Sequence, residues 1–100
     1  MAYAIMVQGK AHLAHVENVK HALMTLARES LKQPGTIRYD FYQPSDDVTT
    51  FILLAEWEDE AGWRANVASA EHDAYIQSLA PDAWEIRQQR THLVLLQATI

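Results

Sequence analysis

The stretch FILLAEWEDEAGWRAN, residues 51–66, decides how the rest of the sequence is interpreted. It opens with an apolar, β-prone run, which predicts a buried strand. Acidic residues over 58–60 then favour the start of a helix, because the free N–H groups of a first turn carry partial positive charge. The corner between this strand and helix holds Trp57 and Trp63. Two such rings either fill a core or line a pocket for a flat organic ligand, and the sequence leaves both interpretations open.

Strand and helix patterns alternate along the rest of the chain. Apolar residues spaced by three and four indicate a first helix, which Pro34-Gly35 ends. Ser69 can cap a second segment after the helix that follows Trp57, and Pro81 ends that segment. The predicted strands cover 3–9, 36–42, 49–57 and 83–97, and the predicted helices cover 12–32, 58–68 and the segment after Ser69.

The order β-α-β-β-α-β predicts an α+β chain with the ferredoxin-like split βαβ fold and an antiparallel sheet. Such a fold packs its helices on one face of the sheet and leaves the other open. The third strand is nevertheless apolar on both faces, with Phe51, Leu53 and Ala55 on one and Ile52 and Leu54 on the other. We therefore expect a second copy of the chain to cover the open face, which makes a homodimer through sheet faces.

Composition excludes several classes of protein. One hundred residues with 49% hydrophobic and 21% charged residues predict a single globular domain over 1–100. The net charge of −5, without a cluster of lysine or arginine, argues against a nucleic-acid partner. The sequence has no cysteine, and its histidines and carboxylates do not have the spacing of metal ligands on one face. Both observations argue against a metal site. No apolar run suits a membrane span and no basic signal region precedes 3–9, so the expected location is cytoplasmic.

The same segments resemble the antibiotic biosynthesis monooxygenase family of the dimeric α/β-barrel superfamily. The resemblance covers nearly the whole chain and rests on the order and spacing of four features. These are Pro34-Gly35 before strand two, Tyr39-Asp40 within it, Phe51 and Glu56-Trp57 at the two ends of strand three, and the run 57–61 followed by Ser69 and His72. The resemblance implies a dimeric α/β barrel that oxidises an electron-rich aromatic, such as an anthrone or quinol, with O2 and without metal, flavin or haem.

The family's functional positions are carried over only in part. The strand-end tryptophan of the anthrone-oxidising members matches Trp57, and their Arg-x-Asn is kept as Arg64 and Asn66. Trp63 stands where those members have tyrosine. A family asparagine is replaced here by Leu53, and an arginine on the second helix falls near Gln77.

The resemblance and the residue chemistry together give each candidate a role. A neutral histidine, His72, takes a proton from the substrate near neutral pH. Asn66 donates a hydrogen bond to the resulting oxyanion, and Trp57 and Trp63 stack on the ring. The alternatives are purely structural roles. Asn66 is then a polar helix residue with its hydrogen bonds satisfied, His72 is a capping or solvated histidine, and the tryptophans fill the core. The expected catalytic residues are Asn66, His72 and Trp57, and the expected substrate-binding residues are Trp63, Tyr39, Phe51, Leu53 and Arg64.

Three functions are compatible with this sequence. The first is a cofactor-independent monooxygenase of a small aromatic. The second is a non-redox enzyme, such as an isomerase, that uses the same cavity, and the third is a non-catalytic dimeric protein that binds small molecules or acts in stress. An enclosed pocket with polar groups favours the first two, whereas a pocket packed shut by Trp63 favours the third.

Overall fold

Strands and helices alternate in the computed structural model, which describes residues 2–94 and residue 96. A short 3-10 turn, Leu13–His15, lies between the first strand and the first α-helix. Its strands are β1 (Tyr3–Ala11), β2 (Thr36–Tyr42), β3 (Thr50–Trp57) and β4 (Trp84–Leu93), and its α-helices are α1 (Val16–Ser30), α2 (Glu60–Val67) and α3 (Ala70–Ser78).

The predicted order of elements is confirmed, with differences at their ends. The first helix begins later than predicted because residues 13–15 form the 3-10 turn. Strand β1 continues two residues past Gly9 because it stays paired with β4 as far as Ala11. Strand β4 ends at Leu93, so the predicted strand over 83–97 was too long where the structure describes it, and residues 95 and 97 lie outside the described part.

The four strands form one antiparallel sheet in the order β2-β3-β1-β4. This is the predicted α+β, ferredoxin-like arrangement. The odd-numbered residues of β3 are buried against the helices, whereas Ile52 and Leu54 on the other face are only partly covered. Helix α1 contributes the opposite half of the core, where Val19 and Leu23 are almost completely buried. The sheet therefore has one face packed on helices and one open apolar strip on β3.

Side-chain caps separate α2 from α3. The carboxylate of Asp59 accepts a hydrogen bond from the backbone N–H of Gly62 at 3.1 Å, and this caps the start of α2. The hydroxyl of Ser69 accepts from the backbone N–H of His72 at 3.2 Å, and this caps α3 as predicted. The two caps fix where each helix begins and hence where Trp63 and His72 lie.

Gly9 brings β4 close to β1. A Cβ atom at Gly9 would lie 2.9 Å from Cγ and 3.2 Å from Cα of Gln88, and 3.1 Å from the ring of Trp84. The backbone of Gly9 does not need positive φ, unlike that of Gly35 with φ 81°, so the requirement at Gly9 is for space. The pairing of β1 with β4 is irregular here, between Gln8 and Ala11. This close approach sets how β4 presents Gln88 to the helix-covered face.

We expect Gly9→Ala to lower the free energy of unfolding by about 1–3 kcal/mol, because the added methyl group overpacks β4. The matched control is Gln8→Ala, the exposed neighbour on β1, which should stay within about 0.5 kcal/mol of wild type. Urea unfolding of both variants at one protein concentration checks this. Equal midpoints for the two variants would contradict the requirement for space at Gly9.

Candidate functional site

A cavity of about 500 Å³ lies between the helices and the covered face of the sheet. Its apolar floor is formed by β1, β3 and α1, and one polar wall is formed by β4. The lining residues are Ile5, Val7, Leu23, Leu26, Tyr39, Leu53, Trp63, Asn66, Val67, His72, Tyr75, Gln88, Arg90 and His92.

Five of the residues singled out from the sequence line this cavity. They come from four elements of the fold: Tyr39 from β2, Leu53 from β3, Trp63 and Asn66 from α2, and His72 from α3. Trp63 and Asn66 are three residues apart on one helix, so they share a face. The cavity is open with Trp63 at its side, and it is not packed shut by that ring.

The cavity lining does not include Phe51, Trp57 or Arg64. The expectation that these side chains contact a ligand there does not agree with their positions in the structure. Phe51 is 4% exposed and lies further along β3, beside a different groove next to α1. Trp57 is 1% exposed and meets Tyr39 edge-on with ring centroids 6.1 Å apart. Arg64 is exposed and pairs with Glu60 at 3.2 Å. Trp57 therefore supports the cavity wall from behind.

Asn66 holds the helices together at the base of the site. Its side chain is 2% exposed, and its amide nitrogen donates to Oγ of Ser30 at 2.9 Å and to Oε1 of Gln33 at 3.0 Å. Both acceptors belong to the end of α1 and the residues after it. The hydroxyl of Ser69 also donates to the backbone carbonyl of Asn66 at 2.7 Å. Because both amide hydrogens are engaged, an oxyanion at this point would have to replace Ser30 or Gln33 as an acceptor.

His72 is a half-buried histidine that faces the cavity. Burial lowers the pKa of its imidazole below the usual 6.5, and the charge of Arg90 acts in the same direction. The carboxylate of Asp73 opposes this, but the net shift is downward. The ring meets Tyr75 edge-on with centroids 5.9 Å apart. His72 is therefore neutral at pH 7 and has a nitrogen available as a proton acceptor.

Two buried tyrosines, Tyr39 and Tyr75, stay protonated. Burial raises the pKa of Tyr39 to about 12, although a hydrogen bond with Ser30 acts against the shift. Burial also raises the pKa of Tyr75, and its hydroxyl donates to Oε1 of Gln88 at 3.0 Å. Both phenols therefore act as hydrogen-bond donors and not as bases at neutral pH.

Trp63 is the centre of a cluster at the side of the cavity. Its ring stacks on Tyr3 with centroids 5.3 Å apart, and His92 meets it edge-on at 5.1 Å. The guanidinium of Arg90 lies 5.1 Å from the ring centroid and that of Arg64 lies 5.6 Å from it. Tyr3 and Nδ1 of His92 are hydrogen-bonded to each other. The indole is thus held in place by aromatic and cationic neighbours.

The polar wall of β4 was not predicted. Gln88, Arg90 and His92 alternate along the strand and face the cavity, but the sequence carries no signal for this, because the intervening Gln89 and Thr91 are polar as well. Tyr75 is buried on α3, and its hydroxyl reaches Gln88. These residues bring a cation, an imidazole and an amide to a cavity whose sequence-predicted lining had fewer polar groups.

The chemistry of the site follows from this lining. A flat ring can lie beside Trp63, a proton can pass to His72, and the hydroxyl of Tyr39 can donate a hydrogen bond to oxygen, whereas that of Tyr75 already donates to Gln88. Among the described residues, no group of three or more His, Cys, Asp or Glu side chains is arranged to hold a metal ion. None of the helices described is long and apolar enough to cross a membrane. The arrangement suits binding of a small aromatic and removal of a proton from it.

Solved structures with this fold come from several organisms. A protein of Nitrosomonas europaea that carries the name antibiotic biosynthesis monooxygenase is 21% identical, with a TM-score of 0.89 over 98% of this chain and 93% of that one. Rv0793 of Mycobacterium tuberculosis is 13% identical, with a TM-score of 0.89 over the whole of both chains. SnoaB of Streptomyces nogalater, a cofactor-independent oxygenase, is 15% identical, with a TM-score of 0.83 over 97% and 95%. At such identities these similarities establish the fold.

The sequence itself identifies the family. No curated protein matches this chain. The model of the family described as antibiotic biosynthesis monooxygenase matches residues 2–78, which include β1 to α3 and most of the cavity lining. Since this match spans well over half of the chain, the chain belongs to the antibiotic biosynthesis monooxygenase family.

Proposed function

We propose that this protein is a cofactor-independent monooxygenase that oxidises a small electron-rich aromatic, such as an anthrone or a quinol, with O2. The observation that carries the proposal is one cavity of about 500 Å³ that brings a neutral histidine, His72, together with Trp63 and two protonated tyrosines. Membership of the family supports it, as does the similarity to SnoaB.

The reaction begins with removal of a proton from the substrate by His72. The resulting anion is electron-rich enough to give one electron to O2, and the radical and superoxide then combine to form a C–O bond. Protonated His72 returns its proton to the peroxide anion. Loss of water, with the remaining hydrogen of the same carbon, then breaks the O–O bond and leaves one oxygen atom as a carbonyl and the other in water. The protein's task is to favour deprotonation, to stabilise the oxyanion and to exclude water.

The lining residues divide this task between them. Trp63 provides an indole for stacking, and Leu53 and Leu23 give the floor beneath the anion an apolar surface. Tyr39 and Tyr75 remain protonated at the working pH, and the hydroxyl of Tyr75 donates to a substrate oxygen only when that oxygen replaces Gln88 as its acceptor. Asn66 is a third donor, provided that the substrate oxygen replaces Ser30 or Gln33 as its acceptor.

Oxygen uptake tests the activity. With anthrones and quinols as substrates and a chelator present, we expect the protein to consume O2 above the uncatalysed rate and to need no added metal, flavin or haem. Trp63→Leu should raise the dissociation constant of any accepted substrate about tenfold, because it removes stacking area. No acceleration across the panel overturns the proposal and favours a non-redox enzyme or a binding protein.

The pH profile tests His72. Because a base must be unprotonated to act and the pKa of His72 is lowered, the acidic limb of kcat/KM should have its midpoint below 6.5. Activity is retained above that midpoint and lost as the pH falls through it. His72→Gln should lower kcat by about 100-fold. The control His21→Gln, an exposed histidine on α1, should leave the limb in place. An unchanged acidic limb in His72→Gln would rule His72 out as the base.

A pair of variants separates a catalytic Asn66 from a structural one. Asn66→Ala removes the donor itself and should lower kcat by about 100-fold. Substrate binding should change little, because Trp63 is also held by Tyr3 and His92. Ser30→Ala removes one of its acceptors and keeps the amide, so kcat should stay within about twofold of wild type. Both variants should lose about 1–3 kcal/mol of unfolding free energy. Equal kcat in Asn66→Ala and wild type would leave Asn66 as a structural residue only.

We further propose that the active form is a homodimer through the open faces of the sheets. The partly covered apolar strip of Ile52 and Leu54 supports this. Ile52→Asp should give a monomer or an insoluble chain, because it places an unpaired charge in that interface. Met24→Asp, at an exposed position on α1, is the control and should remain dimeric. Light scattering at micromolar concentration measures the outcome, and a monodisperse wild-type monomer contradicts the proposal.

A further inference from the structure

The wall that β4 contributes to the cavity is polar although it faces the helices. Gln88, Arg90 and His92 occupy the positions where this sheet face is elsewhere apolar, as the neighbouring Ile5 and Val7 of β1 show. Arg90 lies opposite Val7 and His92 lies opposite Ile5 in the strand register. A strand that buried this face against a helix would be expected to alternate with apolar residues. The strip is therefore suited to a polar partner within the cavity.

The charge of the cavity is opposite to that of the chain. The chain as a whole has a net charge of −5. Across the described residues, no carboxylate side chain lines the cavity, and Arg90 gives it a permanent positive charge, while His72 and His92 add nitrogen groups. Lining of one sign in a cleft with apolar walls attracts ligands of the opposite sign.

Among the described residues, Arg90 is the one arginine that lines the cavity. Arg64, Arg38 and Arg28 each pair with a carboxylate of the protein. In the part of the chain that the structure describes, Arg90 makes no such ion pair, and it lies instead over the ring of Trp63. His92 touches the same ring, and Tyr3 engages its Nδ1, which leaves Nε2 as the nitrogen without a protein partner there. Two nitrogen groups thus adjoin the ring on which an aromatic substrate would stack.

We propose that the substrate carries a permanent anionic group, a carboxylate on its aromatic ring, which Arg90 and His92 bind at the side of the cavity. A guanidinium matches the two oxygens of a carboxylate, and hydrogen bonds to charged groups are the strong ones. The aromatic hydroxyl of the same molecule points inward, where His72 and Tyr39 lie. The position of the hydroxyl rests on the proposed function, whereas the binding of the carboxylate does not. The substrate class is a hydroxyaryl carboxylate.

Calorimetric binding of two matched probes tests this. The probes are 6-hydroxy-2-naphthoate and its methyl ester, which share a ring and a hydroxyl but differ in the anion. Wild-type protein should bind the acid at least about tenfold tighter than the ester, the usual advantage of a charge-assisted hydrogen bond. Arg90→Gln should reduce that preference to about twofold or less. Arg87→Gln should preserve it, because Arg87 is an exposed arginine of the same strand outside the cavity lining.

The outcomes test the carboxylate site independently of the oxygenase activity. Equal affinity for acid and ester in wild type overturns it, as does absence of any binding of the acid at millimolar concentration. An equal loss in Arg87→Gln and Arg90→Gln also overturns it, since that result reflects surface charge alone. A preference that depends on Arg90, in a protein that consumes no O2 with any substrate, supports the carboxylate site and overturns the proposed reaction instead.

Discussion

The buried amide of Asn66 fixes what the helices present to the cavity. It joins α2 to the end of α1 through Ser30 and Gln33, and the backbone carbonyl of the same residue accepts from Ser69, which caps α3. An anchored Asn66 sets the rotation of α2, so Trp63, one turn earlier, must face the same side. The cap at Ser69 in turn fixes the first turn of α3, where His72 lies. The hydrogen bonds of Asn66 and Ser69 therefore help to place Trp63 and His72 beside the cavity.

The rest of the cavity depends on a division between apolar and polar strands. Strands β1 and β3 supply buried aliphatic side chains, and α1 closes over them with Leu23 and Leu26. Strand β4 supplies polar side chains, and these do not favour close packing against α3. The hydrogen bond from Tyr75 to Gln88 spans the gap between helix and strand. The cavity exists because only part of the covered sheet face is apolar.

The fold was predictable from the sequence because its signals are local. The period-two pattern of β2, the acidic start of α2 and the cap at Ser69 each specify an element within a few residues. The lining of the cavity was predictable on the same basis for Leu53, Trp63 and Asn66, which follow from strand alternation and helix spacing. Phe51 and Trp57 share the predicted face, but alternation gives a direction and not a depth, so it could not show that both rings lie in the core.

The side chains of β4 illustrate a different limit. Their role arises from pairing with β1, at the opposite end of the sequence, and from the irregular register beside Gly9. No local pattern within 84–93 reveals which of its faces meets the helices. A hydrogen bond between Tyr75 and Gln88 or between Tyr3 and His92 joins segments that only the folded sheet brings together.

Two residues of this chain, Leu53 and Gln77, depart from the family pattern that the sequence resembles. Leu53 makes the floor of the cavity apolar where a family member has an amide, and Gln77 is exposed on α3 and does not line the cavity. The polar groups around a ligand must then come from elsewhere, and β4 lies directly across from α2 and α3. Arg90, resting against Trp63, places a cation on the strand side of the cavity in place of one on the helix. A cation on the strand in place of one on the helix lies at a different edge of a ring beside Trp63, and the proposed carboxylate site depends on this position.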